Sequence, residues 1–133
     1  MAGGAVNRVA KLAWAAPCSL VGLVVALGVA AAGGRWRRGK ETLEVTWRDS
    51  HGLCGARARR FRFRAMALGH VILAITPDDL ECSRAHELVH VRQYERWGLV
   101  FFPAYAASSV WQWMRGRNAY LDNRFEVEAR QRD

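Results

Sequence analysis

A run of 21 residues without a charged side chain, residues 12–32, constrains this 133-residue chain more than any other feature. As an α-helix the run would be about 30 Å long, which is the thickness of the hydrocarbon core of a bilayer. A signal peptide has a shorter apolar core, of about 7–15 residues, and a small-residue cleavage site, which Ala30 to Ala32 would provide. The length favours a retained, single-pass membrane anchor within residues 1–40, with residues 41–133 as one folded domain.

The chain is strongly basic, with 20 Lys and Arg against 12 Asp and Glu. Such an excess predicts anionic partners, namely lipid headgroups, nucleic acid or acidic proteins. The cations cluster beside the apolar run and in residues 57–64, so a membrane surface explains them most simply. Under the positive-inside rule, the cations that flank the run favour a cytoplasmic C-terminal domain.

The residues between the apolar run and residue 76 predict a small antiparallel sheet. Residues 41–48 alternate between apolar and polar side chains, which is the period of a half-buried strand. Residues 60–64 alternate again, and residues 69–75 form a short, β-branched run typical of a buried strand. Residues 49–52 have the composition of a turn.

A long helix is predicted to follow. Thr76 can cap it, Pro77 suits its first turn, and Gly98 after Trp97 provides the stop. Residues 99–114 are uncharged and predict a second helix that begins near Pro103.

This second helix is too short to span a bilayer, so we expect it to lie in the core, with the membrane interface as the alternative. A last helix over residues 124–131 can be capped by Asp122 or Asn123.

The long helix carries His86-Glu87-Leu88-Val89-His90, the pattern H-E-x-x-H. Because residues four apart share one face of a helix, both histidines can bind one metal ion while Glu87 lies beside it. This pattern is typical of zinc hydrolases, in which the histidines are ligands and the glutamate is the base. The alternative is an ordinary helix with two exposed histidines and a salt-bridged glutamate.

The motif resembles that of the gluzincin metallopeptidases, in which a glutamate from a later helix, often within E-x-x-A, is the third ligand. Residues 126–129, Glu-Val-Glu-Ala, match that form. The resemblance covers roughly residues 70–130 and implies an α+β fold, with an N-terminal transmembrane helix, a small antiparallel sheet and a minimal zincin helical core. It also implies a zinc-dependent metallopeptidase in which His86, His90 and Glu126 hold Zn²⁺, Glu87 is the general base and the substrate is a peptide or protein.

The chain departs from the gluzincin pattern in three places. Arg130 stands where an aspartate often follows the third ligand, and Arg84 and Arg92 are charged where uncharged side chains prevail. Tyr120 is a candidate for stabilising the oxyanion, although a packed tyrosine is the more economical assignment. His70 is expected to be a strand histidine rather than a ligand, on a strand edge at residues 70–75 that could pair with an extended peptide.

Two non-catalytic alternatives remain. A structural Cys/His zinc site could use Cys54, Cys82 and His86, but Cys82 and His90 lie about 12 Å apart along a helix and cannot share one ion. The two cysteines are expected to be free buried thiols, with a disulfide as the alternative. A basic membrane protein could instead bind anionic lipid through residues 57–64; nucleic acid is less favoured, because no complete nucleic-acid-binding motif accompanies them.

Overall fold

A computed structural model describes residues 2–47 and 64–133 of the chain. The elements in these two ranges follow in the order α1 (Ala2–Ala31), β1 (Arg35–Arg38), β2 (Leu43–Thr46), β3 (Ala65–Leu68), β4 (Val71–Ala74), α2 (Pro77–Trp97), a 3₁₀ turn (Gly98–Val100), α3 (Phe101–Met114) and α4 (Arg124–Arg132). The fold class is α+β, as the sequence predicts. Three of the predicted features, the turn at residues 49–52, the strand over residues 60–63 and Cys54, lie outside the described residues.

The strands form one four-stranded sheet in the order β1-β2-β4-β3. The two outer pairings are antiparallel, as expected, but the central pair of β2 and β4 is parallel. The sheet is therefore two hairpins joined along their second strands. The second hairpin closes through a two-residue turn, in which Gly69 has a φ of 62° that suits glycine.

The strand predicted at residues 69–75 is confirmed as β4, although Gly69 and His70 belong to the turn before it. The alternation predicted for β2 is only partly correct. Val45 is buried, but Glu44 and Thr46 are buried too, and Trp47 is exposed. The physical reason is that helices cover both faces of this central strand, so neither set of side chains meets water.

α1 and α2 lie on opposite faces of the sheet. Against α1 lie side chains of the two central strands, including Val45 and Val71. Against α2 lie the alternate side chains of β4, Ile72 and Ala74. α1 approaches so closely that a Cβ on Gly22 would lie 2.6 Å from the carbonyl oxygen of Leu68. α1 is thus a packed layer of the fold, and the domain boundary at residue 40 stays a prediction.

α1 is also long and apolar enough to cross a membrane, over 28 residues from Gly4 to Ala31. Its inner stripe consists mostly of small side chains. Its outer side carries bulky apolar side chains that are exposed, among them Leu20, Val21, Leu23, Val24 and Leu27.

The helix termini match the sequence prediction. The Thr76 side chain caps α2 by accepting a hydrogen bond from the Asp79 amide, and Gly98 follows its last residue with a φ of 54°. Asn123, rather than Asp122, caps α4. α3 begins at Phe101, two residues before Pro103, because the 3₁₀ turn leads into it. The expectation that α3 is a core helix is wrong, since Phe101 is its one fully buried residue.

Candidate metal centre

Three side chains from α2 and α4 meet at one point. The Nε2 atoms of His86 and His90 lie 3.2 Å apart. Glu126 places one carboxylate oxygen 3.2 Å from His86 Nε2 and the other 3.4 Å from His90 Nε2. Ligands bound at about 2.1 Å to a tetrahedral ion would lie about 3.4 Å from one another. The donor set and its spacing therefore fit a metal ion such as zinc.

The packing of α4 across α2 brings the third donor into place. Asn123, which is fully buried, donates hydrogen bonds from Nδ2 to the Tyr105 carbonyl oxygen and to Ser109 Oγ, and so ties the start of α4 to α3. Phe125 fills the space between these helices and stacks on Tyr105. With the helix start held in this way, Glu126 points at the histidines.

Glu126 is supported by a residue that the sequence analysis did not single out. The Tyr105 hydroxyl donates a 2.7 Å hydrogen bond to Glu126 Oε1. Tyr105 thus supplies a hydrogen bond to Glu126, the candidate third ligand, whereas the gluzincin pattern that the motif resembles would have an aspartate in place of Arg130. Arg130 itself donates to the Leu121 carbonyl oxygen. No sequence spacing connects Tyr105 with Glu126, so the pair could not have been found before the fold was known.

Gln93 orients the second histidine and is buried almost completely, at 1% exposure. Its Nε2 donates to the Phe125 carbonyl oxygen and to a carboxylate oxygen of Glu128, both at 3.0 Å. Its Oε1 is therefore the acceptor for His90 Nδ1–H, at 2.8 Å. This bond selects the tautomer in which Nε2 of His90 is free to bind a metal. Gln93 follows His90 by three residues, a spacing that could have revealed it.

Glu87 is buried beside the ligands and lines the same cleft as His90 and Glu126. Burial raises the pKa of its carboxyl group, and the two histidines oppose that rise. The cleft has a volume of about 380 Å³ and apolar walls, from β3 on one side and α3 on the other. Tyr120 also faces this cleft and hydrogen bonds with Glu126; burial and the nearby carboxylates raise its pKa to about 12.

The three side chains of this cluster shift one another's pKa values. The hydrogen bond to Glu126 raises the pKa of His86. Burial tends to lower the pKa of His90, but the bond to Glu126 and the nearby carboxylates raise it overall. The pKa of Glu126 is lowered well below its usual range, because hydrogen bonds from both histidines outweigh the effect of its burial.

The other candidate residues have structural roles. His70 lies between Ser19 and Glu95, in the turn before β4 and not in a strand as expected. Cys82 is disulfide-bonded, so the expectation of a free thiol is wrong for it. Arg84 makes a two-pronged ion pair with the buried Glu44, which explains a charge at that position of the motif helix.

The described residues thus bring together three ligating side chains, a buried carboxylate and two phenols at an apolar cleft. In particular, His86, His90 and Glu126 are the one group of this kind found in residues 2–47 and 64–133. Its chemistry has to be derived from these residues alone. Comparisons of the chain with models of known protein families, with curated proteins and with solved structures find no match.

Proposed function

We propose that the protein is a membrane-anchored zinc metallopeptidase. The observation that carries the proposal is the convergence of His86, His90 and Glu126 at ligand spacing, with Glu87 in the same cleft. The alternative for this motif is an ordinary helix with two exposed histidines and a salt-bridged glutamate. That alternative gives no reason for the Glu126 carboxylate, which is 3% exposed, to lie between the two imidazoles. Burying ionisable groups together is costly, and the ion pairs with Glu126 offset that cost only in part; a bound metal ion would offset it further.

Each residue would have a distinct part in hydrolysis. Bound zinc would supply Lewis acidity and make water nucleophilic near neutral pH. Glu87 would take the proton of the attacking water and pass it to the leaving amine. Burial raises the pKa of Glu87, which makes its carboxylate a stronger base for the first step, the removal of the proton from water. Gln93 and Tyr105 would hold His90 and Glu126 in orientation.

An extended peptide is the substrate that the cleft accommodates best. The strand edge expected for peptide pairing, at residues 70–75, is not free, because β4 pairs on both sides. β3 is instead one of the two edge strands of the described sheet, and its residues line the cleft beside Glu87. A peptide that adds to β3 by backbone hydrogen bonds would pass the proposed base.

The non-catalytic alternatives receive less support. A structural Cys/His zinc site loses a thiolate donor, because Cys82 is disulfide-bonded. Of the basic segment at residues 57–64, the described Arg64 is 3.2 Å from Asp79 in a nearly buried ion pair, so that it does not present its charge to lipid or nucleic acid.

For the membrane, we infer that α1 is retained in the mature protein, because its removal would uncover the face of the sheet on which its inner stripe packs. Its exposed apolar outer side would then anchor the protein at the membrane. Full-length protein should then sediment with membranes and resist carbonate extraction. A mature chain that starts at Gly33 would show instead that a signal peptide is removed.

The decisive experiment combines metal analysis with cleavage of a quenched fluorescent peptide. Glu87→Gln should keep zinc and lose activity by about 10²–10⁴-fold, because the amide cannot accept the proton of water. Glu126→Ala should lose both zinc and activity, because it removes a ligand and its charge. Glu81→Gln is the matched control on the exposed side of the same helix and should change neither. Full activity of Glu87→Gln would disprove the catalytic assignment.

A further inference from the structure

α3 has its polar and apolar sides reversed relative to a helix on a water-exposed surface. Its polar side chains point inward: Tyr105 donates to Glu126, Ser108 accepts from the Arg124 amide, and Ser109 accepts from Asn123. The opposite side of the helix, about 160° round, is formed by Pro103, Ala107, Val110, Trp111 and Met114. Those positions are exposed, and none is polar. A helix that faced water would carry polar residues there.

The apolar outer side of α3 continues onto α1. Gly98, just before α3, packs directly on the indole of Trp14. Leu99 and Val100 follow it and are about half exposed, at 54% and 51%, as is Trp14 at 55%. An apolar surface therefore runs from the helix that is capable of spanning a membrane, across the 3₁₀ turn, to α3.

The far end of α3 has the composition of a membrane–water boundary. Trp111 and Trp113 are exposed in its last turn, and Arg115 and Arg117 follow immediately. The Arg115 guanidinium lies 4.5 Å from the Trp111 ring centre. Tryptophans beside arginines are typical of the headgroup region, where the indole is half in hydrocarbon and the cation meets lipid phosphate. At 14 residues, or about 21 Å, α3 is too short to span a bilayer but can lie along its surface.

The same helix is a wall of the cleft. Tyr105 and Ser109 line the cleft from the inner side of α3, and Phe102 and Ala106 line it from the flank between the inner side and the apolar outer side. The cleft is therefore separated from the outer side by the width of one helix, about 10–12 Å.

From these observations we infer that the outer side of α3 lies in a bilayer that contains anionic lipid, and that the cleft acts on polypeptides tethered to that same membrane. The substrate part of this inference rests on the proposed peptidase function; the docking part does not. A soluble peptide would have to reach the cleft from the water. A polypeptide tethered to the membrane is already held at the distance from the bilayer at which the cleft lies.

Docking is tested with an environment-sensitive fluorophore on the full-length chain in vesicles of phosphatidylcholine and phosphatidylglycerol. The label is attached at Val110→Cys in a Cys18→Ala background, which removes the buried free thiol. We expect nitroxide-labelled lipids to quench it strongly and aqueous iodide to quench it little. The matched control, Gln131→Cys on the exposed side of α4, should show the reverse pattern. Iodide quenching at position 110 in vesicle-bound protein would overturn the docking.

The substrate class is tested with one peptide in two forms, free in solution and attached to a lipid in the same vesicles. Val110→Glu should lower cleavage of the tethered form several-fold and leave zinc content and cleavage of the free form unchanged. Gln131→Glu should alter none of these. An equal loss on both forms, or on neither, would refute a tethered substrate. If lipid quenches the label at position 110 but the protein binds no zinc, the peptidase function is refuted and the docking of α3 stands.

Discussion

Gln93→Leu should weaken zinc binding without touching a ligand. The side chain accepts a hydrogen bond from His90 Nδ1 and donates two, to the Phe125 carbonyl oxygen and to Glu128. Leucine has a similar size but can make none of these bonds. His90 would lose the acceptor that selects its tautomer, and the imidazole would be free to rotate away from the metal position.

The size of the effect follows from burial. Loss of the hydrogen-bond partner of a metal-ligating histidine typically lowers metal affinity about 10–100-fold, which corresponds to about 1.4–2.7 kcal/mol. The metal-free protein would also lose stability, because the buried His90 N–H is left without an acceptor at about 1–3 kcal/mol.

Zinc affinity is measured by competition with a chromophoric chelator, and stability by urea unfolding of the metal-free protein. Gln93→Glu is the informative partner variant. It keeps an acceptor for His90 and should retain zinc, but it should be less stable, because it places a second carboxylate next to Glu128. Wild-type zinc affinity in Gln93→Leu would show that the hydrogen bond does not orient the ligand.

Three further predictions concern the ligand support, the α1 layer and pH. Tyr105→Phe removes the 2.7 Å bond to Glu126 and should lower zinc affinity about tenfold, whereas removal of an unrelated surface hydroxyl should not. Gly22→Leu should destabilise the domain by about 1–3 kcal/mol or more, because the new side chain would collide with Leu68 and Val71. Gly28→Leu is the control and should be tolerated, because a Cβ at Gly28 would have nothing within 4 Å. Equal unfolding curves for the two variants would refute the packing of α1 on the sheet. When a chelator keeps the protein free of metal, the raised pKa values of His86 and His90 stabilise the fold below about pH 6.5, and this stabilisation is lost as the pH rises through those pKa values. The lowered pKa of Glu126 stabilises the fold above about pH 4.3. Urea midpoints of metal-free protein should therefore peak between about pH 4.5 and 6.5 and fall towards pH 8, whereas zinc-loaded protein should be more stable at pH 7 than at pH 5.

Local signals made α2 and α4 predictable. Thr76, Pro77 and Gly98 act on the backbone within one turn of their own positions, so their meaning does not depend on the rest of the fold. The spacing of His86 and His90 is likewise set by helix geometry alone. The two donors from α2 could therefore be named from the sequence, and Glu126 from the family pattern.

Features that depend on contacts between distant elements were less predictable. The parallel pairing of β2 and β4 arises from the docking of two hairpins, for which neither hairpin carries a signal. Burial of Glu44 needs Arg37 and Arg84 from two other elements. The outer side of α3 has the composition of a core helix, because apolar residues give the same sequence signature whether they are exposed or face protein.

The packing of the inner stripe of α1 on the sheet has a consequence for how the protein is made. The inner stripe of α1 is covered by β4 and by side chains of α2, which end about 65 residues further along the chain. At about 5–20 residues per second, synthesis needs some 3–13 s to reach the end of α2. During that interval α1 is apolar on every side of its central turns and is available to the membrane-insertion machinery. With α1 anchored as proposed, the sheet would assemble against a helix that is already at the membrane, and insertion and folding of this chain would be coupled steps.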